Sequence, residues 1–212
     1  MSRRLAGAVV ALMFAGSAGT GLLAIRNKPQ VSDAAKKSPD AAAAEALNSG
    51  LARLEKADRI EAKNPKQARK EYEAALKDFQ AAADAAPDNY RAHNGAGYAL
   101  RKLGNYERAL ASYERALVLA PTSSEAIEYR AEAYLALNRL NDAKQAYMFL
   151  FVHDRPASNV LMKAMKLWVE TRRVAPDGME PAAIDRFDAW VRERDALAGA
   201  VVNLGHNSPD WK

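Results

Sequence analysis

Ala75, Phe79, Ala82 and Pro87 return 34 residues later as Ala109, Tyr113, Ala116 and Pro121. A third, weaker round supplies Ala143, Tyr147 and Leu150, with Pro156 one residue late. Self-similarity at a fixed period of this length marks chains built from stacked supersecondary units, each too small to bury its own apolar face. Within each period the apolar residues fall at helical spacing, and no window alternates as a strand would. Abundant Ala, with only 11 Gly and 9 Pro in 212 residues, points the same way.

The best copy covers residues 90–123, YRAHNGAGYALRKLGNYERALASYERALVLAPTS. In it Gly97 and Ala109 are small where the two helices of a hairpin must approach closely. Tyr113 fills the space between hairpins, and Ala116 lets the next helix pack. Gly104 and Asn105 form the turn, because glycine tolerates the left-handed backbone that ends a helix. Pro121 closes the second helix, since its ring has no N–H to continue the ladder. A unit of 34 residues with small residues, one ring and a closing proline resembles the tetratricopeptide repeat family. The copy departs from that pattern at His93 and Ala96, which implies a lightly packed first helix.

The next copy, 124–157, keeps Ala131, Tyr134, Ala143 and Tyr147, with Asn138 and Asn141 in place of the turn glycine. Upstream, 40–63 and 65–86 form another hairpin; its second helix matches well. Its first carries Leu47, Leu51, Leu54 and Ile60 on one stripe but lacks the small-residue signature. Downstream, 158–173 and 181–198 form a divergent hairpin, with Leu161, Met165 and Trp168 on one helix and Ile184, Phe187, Trp190 and Val191 on the other. The expected fold is all-α: a tetratricopeptide-like α-solenoid of about four helical hairpins behind an N-terminal transmembrane or signal helix. The segments are an anchor or signal (1–26), a linker (27–39), a divergent hairpin (40–88), two repeats (89–156), a capping hairpin (157–200) and a tail (201–212).

The net charge of +5 is unevenly placed. Arg3, Arg4, Arg26 and Lys28 account for +4 within residues 1–30, leaving 27 bases against 26 acids in the rest. A duplex-binding domain needs a basic stripe to neutralise phosphates, so no nucleic acid is expected as a partner. The absence of Cys excludes disulfide frameworks, thiolate catalysis and Cys-ligated metal. Residues 5–25 form an uncharged run of 21 residues, which as a helix would span roughly 31 Å, one hydrocarbon core. Two main readings stand: a signal anchor that displays the body in the periplasm, or a cleavable signal cut near Gly16, Ser17 and Ala18. A buried helix of a soluble fold is a third. The linker, with two prolines and several charges, reads as a solvated tether.

No metalloprotease, nucleophile-elbow, P-loop or dinucleotide fingerprint is present, and His93, His153 and His206 lie far apart. His93 is expected to pack within its hairpin and His153 to sit at a helix end, where a partial positive charge suits the dipole. No catalytic residue, metal ligand or cofactor is therefore assigned, and the chain is not read as an enzyme. The resemblance implies a concave face, lined by the first helix of each repeat, that holds a segment of another protein. Its outward positions are Arg91, Asn94, Tyr98, Arg101 and Lys102 in one copy and Glu125, Glu128, Tyr129 and Glu132 in the next. The family's clamp for a C-terminal carboxylate needs converging Lys, Asn and Arg, which the three glutamates contradict. A partner segment with both charges and an apolar residue for the tyrosines suits better. Alternatively these are solvated side chains whose signs pair across hairpins, contributing little each.

The expected function is thus an interaction scaffold at a membrane surface in a bacterial-type envelope. Its partners would be another envelope protein and, through residues 5–25, the membrane. The alternative is a self-associating solenoid, with Trp168 and Trp190 as its adhesive surface.

Overall fold

Caps and prolines divide the chain into helices. The computed structural model describes residues 38–206, with side chains to residue 200. The Ser38 hydroxyl accepts from the Ala41 N–H to open α1 (Pro39–Ile60), and Asn64 does the same for α2 (Pro65–Ala85). Asn89, Ser123 and Asp154 cap α3 (Tyr90–Lys102), α5 (Ser124–Ala136) and α7 (Arg155–Val174). Helices α4 (Tyr106–Leu119), α6 (Leu140–His153) and α8 (Pro181–His206) complete the order. Ala86, Ala120 and Ala175 each precede a proline and have left the helical region, at ψ of 78° to 89°. The first two are breaks between hairpins, whereas Ala175 lies inside the last one, between α7 and α8. Inside hairpins the chain turns on left-handed residues, Gly104 at φ 81° and Asn138 at φ 58°. Asn141 has no part in that turn and lies in the first turn of α6.

Each helix packs on the next, giving four antiparallel hairpins among the described residues. The odd-numbered helices also touch one another, α1 with α3, α3 with α5 and α5 with α7, whereas consecutive even-numbered helices make no comparable contact. The stack therefore closes toward an inner layer of odd helices. This is the expected helical solenoid.

The recurring small residues are at the contacts. Ala75, Ala82, Ala109, Ala116 and Ala143 are all at 0% exposure, as are Phe79 and Tyr113. A Cβ placed on Gly97 would come within 2.6 Å of the Tyr113 ring. One on Gly50 or Gly95 would meet the Phe79 ring at 2.8 or 2.5 Å. Each ring thus occupies the space of a missing side chain. Helix α1 does carry small residues after all: Ala43, Gly50 and Ala57 are buried seven apart, between the leucines.

The last hairpin seats Leu161, Met165 and Trp168 against Ile184, Phe187 and Val191, all buried. Trp168 is 1% exposed, so it offers no adhesive surface; Trp190 is half-buried, edge-on to Tyr147 at 5.6 Å. The Trp168 indole N–H donates to the Leu135 carbonyl at 2.7 Å, near the end of α5. Arg172 donates to the Asn138 side chain at 3.0 Å, which fixes that left-handed turn from the neighbouring hairpin. Helix α8 runs to His206, eight residues past its expected end at 198. The run at 5–25 lies outside the described residues, and among those described no helix is long and apolar enough to cross a membrane.

Candidate functional site

Arg91, Asn94, Tyr98 and Arg101 share one stripe of α3, and Glu125, Glu128, Tyr129 and Glu132 share one of α5. The two stripes meet. Tyr98 and Tyr129 pack edge to face at 5.0 Å, and Arg101 forms an ion pair with Glu132. The same guanidinium lies over both rings, 5.0 Å from Tyr98 and 5.4 Å from Tyr129. From α4, Tyr113 reaches within 6.4 Å of Tyr129.

The expectation that these side chains point freely outward is corrected by their burial. Asn94, Tyr98, Arg101, Glu128, Tyr129 and Glu132 all lie between 0% and 7% exposed. Arg91 and Glu125 are half-buried. The signs do pair across hairpins, but out of water, where a charge persists only if a partner offsets its lost hydration. Arg101 meets that condition: burial opposes its charge, yet the Glu132 carboxylate together with the Tyr113 and Tyr98 phenols raises its pKa.

Lys102 turns the other way, to α1. Its ammonium pairs with Glu61 and stands 3.8 Å from Asp58. The Tyr98 hydroxyl donates to Asp58 at 2.9 Å, and the Tyr72 hydroxyl to the same carboxylate at 2.6 Å. Burial, then the charge of Asp58, raises the pKa of both phenols. Asp58, Glu61 and Tyr72 went unread in the sequence. They lie in the hairpin before the best repeat copy, and nothing local marks their approach to α3.

On α5 the acids are perturbed by burial. Glu125 is pushed up to about 7 by burial, against a hydrogen bond from Tyr129 and the charge of Arg91. Glu128 is pushed up to about 9 by burial and then by the Glu132 carboxylate.

The titratable groups form a lane along two helices and do not converge on one reacting centre. Among the described residues no three His, Cys, Asp or Glu gather as metal ligands. His93 is engaged locally, its Nε2 2.9 Å from the Pro87 carbonyl. His153 sits at the end of α6, with Nδ1 2.8 Å from the Phe149 carbonyl. The His206 side chain lies outside the described residues. Such a lane is suited to binding.

No curated protein matches the chain. The family model for the tetratricopeptide repeat matches residues 58–124 and 101–148, from the end of α1 into α6. The flanking α7 and α8 continue the stack outside that match. Repeats of this kind generally mediate protein–protein interaction and are typically non-enzymatic scaffolds. From the end of α1 to the middle of α6, the chain matches the tetratricopeptide repeat family and folds as stacked helical hairpins.

Proposed function

We propose that this chain is a membrane-tethered scaffold of a bacterial-type cell envelope that captures a segment of another envelope protein along the inner face of α3 and α5. The observation that carries the reading is the lane itself: two tyrosines and a graded set of charges line adjacent inner helices. Buried rings and arginines are the side chains that concentrate binding energy, while charges set register. The charge-flanked run at 5–25 supports a tether, which would raise the effective concentration of a membrane partner. The burial of Trp168 removes the main support for self-association.

Photo-crosslinking side chains at Arg91 and Glu125, the half-buried rim of the lane, test the reading against one at Val118, which is 70% exposed on α4. The expected result is a discrete adduct from the two rim positions and none from Val118. Equal adducts from all three, or none from the rim, would reject the inner face as the site.

A further inference from the structure

The facing stripes of α3 and α5 do not balance each other. Arg101 is engaged by Glu132, and the charge of Arg91 acts on Glu125. Glu128, between those two acids on α5, is 6% exposed and makes no hydrogen bond or ion pair with any described residue. A second orphan lies on the opposite helix: Asn94 is 2% exposed, and its Oδ1 accepts no hydrogen bond among the described residues. The Tyr98–Tyr129 and Arg101–Glu132 pairs are both 31 residues apart, a constant register that sets Asn94 level with Glu125, one turn before Glu128. A fully buried acceptor left without a donor, as the Asn94 Oδ1 is, is rare and calls for a reason.

The Asn94 Oδ1 can only accept, and Glu128 becomes an acceptor alone once it ionises. The charges acting on Glu128 are those of Glu132 and Glu125 on its own helix, Asp154 at the α6–α7 junction and Arg101 from α3. From α4 the neighbouring titratable group is the Tyr113 phenol. Three carboxylates thus surround Glu128, and the single cation among them is already engaged. What the place lacks is a positive charge that brings N–H donors. A lysine ammonium brings three and an arginine guanidinium five, and the Tyr98 and Tyr129 rings nearby favour a cation.

We infer that Glu128 and Asn94 form the seat for a lysine or arginine side chain of the captured polypeptide, which makes this face selective for basic segments. The inference rests on the inner face being the capture site. In the unoccupied protein Glu128 carries a proton at neutral pH, since burial and its acidic neighbours hold its pKa at about 9. The arriving cation replaces that proton, which leaves to solvent, and the carboxylate pairs with the ammonium or guanidinium. Capture therefore strengthens with pH, by up to tenfold per unit below about pH 9 for one proton released.

The test is selection of a random octapeptide library on the immobilised full chain and on its Glu128→Gln variant. The variant keeps the shape of a group already neutral at pH 7, and circular dichroism verifies its fold. The expected result is a fixed Lys or Arg in peptides enriched by the parent, and loss of that preference, with flanking residues retained, on Glu128→Gln. Calorimetry of the best peptide in two buffers of different ionisation heat should count about one proton released at pH 7 by the parent and none by the variant. Enriched peptides without a basic position, or the same basic preference on both proteins, would overturn the seat while leaving the capture face standing. No enrichment, or enrichment indifferent to Tyr129→Ala, would overturn both. Enrichment only after Lys36 and Lys37 are replaced by Ala would make the chain's own linker the occupant and also overturn the proposal.

Discussion

At the scale of single residues, Arg101 and Glu132 gain from each other mainly what desolvation has taken from them. Arg101→Met should cost about 3–5 kcal/mol in chemical denaturation, because it leaves the Glu132 carboxylate at 0% exposure without its guanidinium. The double replacement by Met should recover most of that loss. Glu128 behaves in the opposite sense. Its pKa is about 9 in the fold against 4.5 as a free side chain, so on raising the pH the unfolded chain releases this proton first. Its stabilising contribution is complete below about pH 4.5 and is lost by about pH 9. Thermal unfolding of Glu128→Gln should therefore show a smaller decline over that interval than the parent. The remaining slope belongs to Glu125, whose pKa of about 7 acts in the same direction.

At the scale of helices, packing is set by rings lodged where side chains are missing. Gly97→Ala should cost about 1–3 kcal/mol, since its Cβ would stand 2.6 Å from the Tyr113 ring. Gly104→Ala should cost about 1 kcal/mol by another route, because nothing crowds that position but its φ is 81°. Denaturant midpoints of the two variants check both values. These examples show what could be read from the chain alone. The 34-residue spacing exposed the alanines, the rings and the terminating prolines, because those requirements repeat in every unit. The leucine stripe of α1 was legible, but Gly50 and Ala57 within it were not, since their partner Phe79 belongs to the following helix. Helical spacing identified which residues share the inner stripes of α3 and α5. It could not tell that they are buried, because the two stripes bury each other across hairpins, Tyr98 on Tyr129 and Arg101 on Glu132. Asn138 and Asn141 looked equivalent in the sequence, yet only Asn138 has the left-handed backbone and a bond from Arg172.

At the scale of the whole molecule, a stack in which each hairpin buries its apolar face against its neighbours resists unfolding only as far as its joints are coupled. The joint between α5 and α7 is coupled through the Trp168 indole, which satisfies a carbonyl of the preceding hairpin. Trp168→Phe should cost about 0.5–1.5 kcal/mol by removing that hydrogen bond, since the carbonyl keeps the Asn138 N–H at 3.0 Å, and its denaturation curve should reveal whether the last hairpin leaves before the rest. In the parent, far-ultraviolet circular dichroism and indole emission should change at the same denaturant concentration if the stack unfolds as one unit. The wavelength of that emission, blue while the ring is dry and red once it is wet, makes the chain its own optical gauge. With Trp190 and Trp211 replaced by phenylalanine, it reports from the boundary where the matched repeats give way to the terminal hairpin.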